Sequence, residues 1–211
     1  MSERTKIHRA PQKESFDPAV ARSIVERALV AHVAIVVDGQ PYSIPIACAP
    51  FGEELLLHGS TASRLFKHLS EGHPACVSIT HLNALVLARS SFESSMHYES
   101  LVALGSARLL SDEEKRPALQ ALTDHLFPHR RAELRQSTEQ EIKATSVLAF
   151  PLTEISVKVS AGQPDDPQSD LDADVWAGIL PIHSSYGVAV AADNLKPGLP
   201  IPDYIATWVI G

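Results

Sequence analysis

The chain has 211 residues, of which 45% are hydrophobic, 20% charged and 6% aromatic, and its formal net charge is −7 at pH 7. This apolar content excludes a disordered chain, and no apolar run approaches the roughly 20 residues that span a bilayer. The acidic balance argues against nucleic-acid binding, which needs a basic face to displace counterions, so any phosphate must be held by a local group of donors.

Residues 1–15 are polar and aperiodic and read as a flexible tail. No apolar stretch follows the first charges, so no secretory leader is expected and a cytoplasmic location is. Phe16-Asp17-Pro18 supplies a staple, an N-cap and a proline at the first helical position, and Ala21, Ile24, Val25, Ala28 and Leu29 continue at helical spacing to about residue 31. Val33, Ile35 and Val37 then alternate as a strand, and Asp38-Gly39 signals a tight hairpin into Tyr42, Ile44, Ile46 and Cys48. Pro45 cannot donate to a ladder, which implies an edge or a bulge there. A turn at Phe51–Glu54 leads to a third strand over 55–58, and a helix is predicted over 62–71, ended by Gly72.

Two strands are predicted over 75–81 and 84–89 around a Leu82-Asn83 turn. A polar loop over 90–95 enters a long strand from about 96 to 110, with Gly105 as a bend. Asp112 is expected to cap a helix running to Leu126, a second helical stretch covers 131–144, and one last strand spans 147–159. Residues 162–174 read as a solvated linker, 175–181 as an apolar patch, and 196–202 is dense in proline and glycine. The expected organisation is a tail over 1–15, a domain over 16–162, and a linker with C-terminal extension over 163–211 that packs on the barrel or on a partner. The fold class is mainly β, an antiparallel barrel with peripheral helices.

The richest segment is Leu57-His58-Gly59-Ser60-Thr61-Ala62-Ser63-Arg64-Leu65-Phe66-Lys67-His68. A strand ends at glycine, hydroxyls follow, and a helix opens with two cations three residues apart, which suits a phosphate. A capped helix with solvated cations suits the same residues, and the residues alone leave both open. Ser94, Ser95, His97 and Tyr98 could likewise bond a polar heterocycle or merely edge a solvated loop. No HExxH or Cys/His spacing points to a metal, no GxSxG elbow to a nucleophile, and Cys48 and Cys76 read as small core thiols.

The order of these features resembles the pyridoxamine 5′-phosphate oxidase-related, FMN-binding split-barrel family, and within it the 5-nitroimidazole resistance protein-like branch. The motifs carrying the resemblance are the Asp-Gly hairpin, the Pro45 strand, Leu55-Leu-Leu-His58-Gly59-Ser60, Ser63-Arg64, Met96-His97-Tyr98-Glu99-Ser100 and Val175-Trp176-Ala177-Gly178. The resemblance implies FMN at a homodimer interface. Its phosphate would lie on Ser60, Ser63, Arg64 and Lys67, and its ring against Pro45, Ile46, Leu57, His58 and Gly59. Ser94, Ser95 and His97 would add contacts, and Trp176 would cover the ring or ribityl chain from the partner. It further implies an oxidoreductase that reduces a small organic substrate with NAD(P)H, with His58 as a ring contact or substrate-side acid. The alternative is a non-catalytic flavin- or haem-binding module, for which His58 or His97 could ligate iron. Segment 201–211 has no arginine, unlike the arginine-rich end of the oxidases proper, which argues against vitamin B6 oxidation.

Overall fold

In a computed structural model, which describes residues 3–209, Asp38 and Gly39 both adopt positive φ, +51° and +76°. That is the backbone a two-residue hairpin demands, and it joins β1 (Val30–Val37) to β2 (Gln40–Phe51). The remaining strands are β3 (Glu54–Ser60), β4 (Pro74–Leu87), β5 (Ser95–Ser106), β6 (Arg108–Leu109), β7 (Thr145–Pro151), β8 (Ile155–Ser160) and β9 (Gly178–Pro181). They pair antiparallel in the order β6-β7-β3-β2-β1-β4-β5-β8, with β9 also on β4. Four helices lie around them: α1 (Pro18–Glu26), α2 (Arg64–Ser70), α3 (Asp112–Leu126) and α4 (Glu139–Ala144). The fold is mainly β, an antiparallel split barrel with peripheral helices, as predicted.

The split is built into β2. Its residues 40–47 pair with β1, whereas only 48–51 pair with β3. Pro45, opposite His32, therefore sits where the β3 side of the strand is open and no ladder needs its missing N–H. Beyond Cys48 both faces of the sheet are covered. Leu55, Leu57, Leu148 and Phe150 face the barrel interior, while Leu56, Val147 and Ala149 face Leu110, Ala118 and Leu122 under α3. Double coverage explains the unbroken apolar runs 55–57 and 147–150, which carry no period of two.

Several predicted elements differ from those observed. The two strands expected over 75–89 are one, β4, and Asn83 is a bulge between Leu82 and Ala84, not a turn. The bulge absorbs one residue, so Ala75, Val77 and Ile79 before it and Ala84 and Val86 after it all face inward. The single strand expected over 147–159 is two, because Leu152–Glu154 turns the chain from β7 to β8 without any glycine. The long strand keeps its register through Gly105 and breaks at buried Ala107, after which β6 changes partner to β7. Gly105 serves close approach instead: a Cβ there would lie 3.2 Å from the Pro151 ring.

Helix ends shift for capping reasons. α1 stops at Glu26, short of residue 31, and β1 begins at Val30. The N-cap of α3 is Ser111, not Asp112, because Ser111 and Glu114 form a reciprocal capping box. The helix expected over 131–144 is limited to α4, capped by Thr138 and Glu141, and preceded by a short 3₁₀ turn. The residues expected to form a free tail are instead laid along β8. Ser15 N–H donates to the Val157 carbonyl at 3.0 Å, Lys13 Nζ to Ser160 Oγ at 2.9 Å, and Arg4 pairs with Glu154. Met1 and Ser2 lie outside the described residues. In the 162–174 segment, Asp166 is buried and accepts from Arg89 N–H and Nη1 at 2.7 and 2.9 Å, pinning the stretch to the end of β4.

Phe150 is fully buried at the centre of the larger core. Phe150→Ala is expected to lose about 3–5 kcal/mol of stability in urea unfolding, the range for emptying a large core site.

Candidate functional site

Gly59, the last residue but one of β3, is glycine because nothing larger fits: a Cβ there would lie 2.3 Å from the Phe66 ring. That contact sets α2 against the strand end and builds a tight corner. Ser60 Oγ accepts from Ala62 N–H at 3.2 Å, and Ser63 N–H donates to the Ser60 carbonyl at 3.0 Å. The turn takes up Thr61 and Ala62, so α2 starts at Arg64 and not at 62, and with seven residues it contributes little dipole. Ser63 is the N-cap, yet its side chain makes no capping bond. Its hydroxyl is not consumed by the helix.

Arg64 and Lys67 project from the first turn of α2 and line an open cavity of about 380 Å³ with Val37, Ala62, His68 and Glu71. Among the described residues neither cation has a carboxylate partner, which is also true of Arg9 and Arg22, whereas Arg89, Arg108, Arg116, Arg130, Arg131 and Arg135 are all ion-paired. Arg64 rests instead on Tyr42 of β2. Its Cζ is 4.1 Å from the ring centroid, and Nη1 donates to Tyr42 Oη at 3.3 Å. Tyr42 was not among the predicted site residues, and nothing in the spacing links position 42 to position 64. Beside it runs the open edge of β2 with Pro45 and Ile46. Two cations and Tyr42 of β2 therefore meet at one corner, with Ser63 directly before them in the chain.

The other predicted residues go elsewhere. Leu57 is fully buried in the core, so only its backbone is available to a ligand. The next side chain, His58, faces the opposite way, into a cavity of about 220 Å³ under α3 and α4 with Leu119, Thr123 and Ile142. Arg116, Arg131 and Arg135 line that cavity too, paired with Glu139, Asp124 and Glu141. His58 does not line the cavity of Arg64 and Lys67. Burial lowers its pKa and leaves Nδ1 without a hydrogen-bond partner. A neutral imidazole of this kind is a poor proton donor at pH 7. Burial pushes the Cys48 thiol up to about 12 and raises that of Cys76, so neither is a thiolate.

Ser94, Ser95, His97 and Trp176 gather at the far end of β4, β5 and β9. The Ser94 hydroxyl accepts from Ala88 N–H and donates to the Ser90 carbonyl, closing its own loop. His97 is half-buried opposite Ala84, and Trp176 is 70% exposed, its ring so close to Gly178 that a Cβ would lie 2.7 Å away. Pro45 is in register with His32, Ser78 and Val102, five residues along β5 from His97. At about 3.3 Å per residue and 4.8 Å per strand, the two ends are roughly 20 Å apart along the sheet. Within one chain the predicted site residues form two half-sites. A cavity of about 950 Å³ beside Phe16 and Val25 contains none of them.

A split barrel with an open β2 edge and a cationic β3–α2 corner is the structural class this chain falls in. The family model described as pyridoxamine 5′-phosphate oxidase matches residues 17–159, and the chain belongs to that family. Among solved structures it is similar to an FAD and haem binding protein from Mycobacterium smegmatis, with 40% identity over 93% of this chain and 97% of that one, at a TM-score of 0.90. It is also similar to the flavocytochrome Anf3 from Azotobacter vinelandii, with 32% identity over 100% and 98% of the two chains and a TM-score of 0.93. A putative 5-nitroimidazole antibiotic resistance protein from Bacteroides thetaiotaomicron shares the fold at 24% identity, over 69% and 86% of the chains, with a TM-score of 0.60. No curated protein sequence matches. Among the described residues no helix is long and apolar enough to cross a membrane.

The buried imidazole of His58 gives a signed pH dependence. Its folded pKa lies below its unfolded value, so the unfolded state binds protons first and stability is lost as pH falls through about 6.5. Between pH 7.5 and 5.5, His58→Gln is expected to lose less melting temperature than the wild type; parallel losses would contradict this.

Proposed function

We propose that the protein binds a flavin nucleotide, with the ribityl phosphate on Ser60, Ser63, Arg64 and Lys67. The observation that carries the reading is the pair of cations at the β3–α2 corner, left without carboxylate partners beside an uncapped hydroxyl. Arg64 would exchange its weak hold on Tyr42 for a two-pronged grip on phosphate oxygens, and Lys67 would add a point charge on the same helix face. Tyr42, relieved of the guanidinium, would offer its ring and hydroxyl to the ligand. The backbone groups of β2 around Pro45 and Ile46, which have no β3 partner, and those of 57–59 would meet the edge and face of the ring system. This phosphate is common to FMN and FAD. FMN is the smaller of the two, and the FAD and haem binding protein from Mycobacterium smegmatis favours testing FAD beside it.

The second half-site is supplied by a second copy of this chain. In one chain His97 and Trp176 are too distant to meet a ligand at Arg64, whereas in a two-fold dimer each end can face the other's corner. When bound, a flavin supplies hydride or single-electron transfer, which suits an oxidoreductase that takes electrons from NAD(P)H and reduces a small organic substrate. The chain's own part is to hold the phosphate, orient the ring and shield it with Trp176. Neutral His58, on the other face of β3, takes no part as an acid.

A second reading adds haem, favoured by the similarity to an FAD and haem binding protein and to a flavocytochrome. The His58 cavity, about 220 Å³, is below the ~300 Å³ from which cofactor-sized pockets start. His97, at the open end beside Met96 and Trp176, is the better iron ligand.

Titration with FMN, FAD and haem, followed by absorption and flavin fluorescence, tests both readings. FMN or FAD fluorescence is expected to quench on binding, and Arg64→Ala to weaken that binding by about 1.5–3 kcal/mol, the range for a hydrogen bond to a charged group. No bound flavin at saturation would refute the flavin reading. A Soret shift lost in His97→Ala and kept in His58→Ala supports the haem reading, and no Soret shift removes it.

A further inference from the structure

From β9 onward the chain lies on the outside of the barrel. Residues 183–202 hold no strand or helix, and the one backbone hydrogen bond within them, among the described residues, runs from Leu195 N–H to the Ala192 carbonyl. Both ends of this segment are nevertheless tied down. Ile182 N–H donates to the carbonyl of the bulge residue Asn83, and Trp208 Nε1 donates to the Pro128 carbonyl while Tyr204 bonds Glu133. Between the ties, Val188 is 94% and Val190 93% exposed, with Leu199 and Ile201 also in solvent. Within 183–202 the Tyr186 ring meets Trp208 edge-on at 5.9 Å, and the strap beyond it, with its two valines, lies in solvent.

The root of the strap lies in a second unpartnered surface. The bulge that keeps alanine and valine facing inward turns Leu82, Leu85 and Leu87 outward. Leu85 is in register with Met96 on β5 and with Leu180 on β9, and all five side chains are exposed. The accessible surface of the chain, 13476 Å², far exceeds the roughly 9,600 Å² of a globular monomer of 22.8 kDa. The excess, about 3,900 Å² per chain, exceeds the ~1,000–2,500 Å² that each partner buries in an obligate homodimer.

We propose that residues 183–202 are an exchange arm that packs on a second copy of this chain, launched from the outward face formed by Leu82, Leu85, Leu87, Met96 and Leu180. The inference rests on the homodimer reading above and assigns it a surface. A two-fold contact is self-complementary, so the same apolar face meets itself, and the arm leaving β9 at that face crosses directly onto the partner. In the free chain the two valines touch water only, so charges placed there leave the fold intact and act on association alone.

Sedimentation equilibrium of the full chain tests this, with thermal unfolding and circular dichroism as the check on folding. The wild type is expected to dimerise, and the double variant V188D/V190D to raise the dimer dissociation constant by about 100-fold, since unpaired charges would enter an apolar contact. If V188D/V190D dimerises as tightly as wild type while L85E/M96E dissociates, the arm is refuted and the dimer reading stands. A wild type that stays monomeric at high concentration refutes both. Cross-linking keeps the test independent of these charges. In a mixture of ¹⁴N- and ¹⁵N-labelled V190C chains, a short cysteine–lysine reagent should give mixed-isotope peptides, and purely single-isotope products would overturn the proposal.

Discussion

Two strands, β3 and β7, are closed upon from both sides, and the site depends on that double closure. Leu55 and Leu57 enter the barrel interior while Leu56, one residue between them, enters the layer under α3. A one-residue slip of β3 would drive His58 into the barrel interior and exchange the leucines between the two layers, so the register is strongly set. With the register set, Gly59 arrives against Phe66, α2 is held at the strand end, and Ser63, Arg64 and Lys67 point where they do. The chemistry at the corner is thus inherited from packing several residues away. The same coverage desolvates His58 from behind, which lowers its pKa.

How much of this could be read in advance follows the local physics. The Asp38-Gly39 hairpin, the Pro45 edge and the Ser60–Lys67 corner are short-range signals, and each was legible. Signals without a local mark were not. Strands over 75–89 look like two because a Leu-Asn pair mimics a turn, whereas a bulge at Asn83 is a tertiary device for keeping valine inward. The break between β7 and β8 has no glycine, and its neighbours are apolar on both sides, so no change of period announces it. Tyr42 joins the site only because β2 curls past α2, a contact across 22 positions. Direction was equally hidden: the sequence lists Leu57, His58 and Gly59 side by side, but the pleat sends them to three different environments.

The site residues proposed by resemblance are not reunited by the single chain. Arg64 and Lys67 hold one end of the sheet and His97 and Trp176 the other, and the register of four strands separates them. This division is what the proposed second copy would resolve. The unpaired arm and the outward leucines of β4 are the surplus surface such a partner would cover. The acidic net charge then takes a more specific meaning: repelling polyanions overall, the chain keeps two cations that, among the described residues, have no carboxylate partner, at one corner.

The central claim, a flavin site shared between two chains, is tested most directly by subunit complementation. Arg64→Ala lacks one half-site and Trp176→Ala the other, so each alone should bind flavin poorly. After the two variants are mixed and allowed to exchange subunits, random pairing leaves one intact site in each heterodimer. The account predicts recovery of about a quarter of the wild-type binding capacity at wild-type affinity. No recovery, with subunit exchange confirmed, would place the whole site in a single chain and contradict the account.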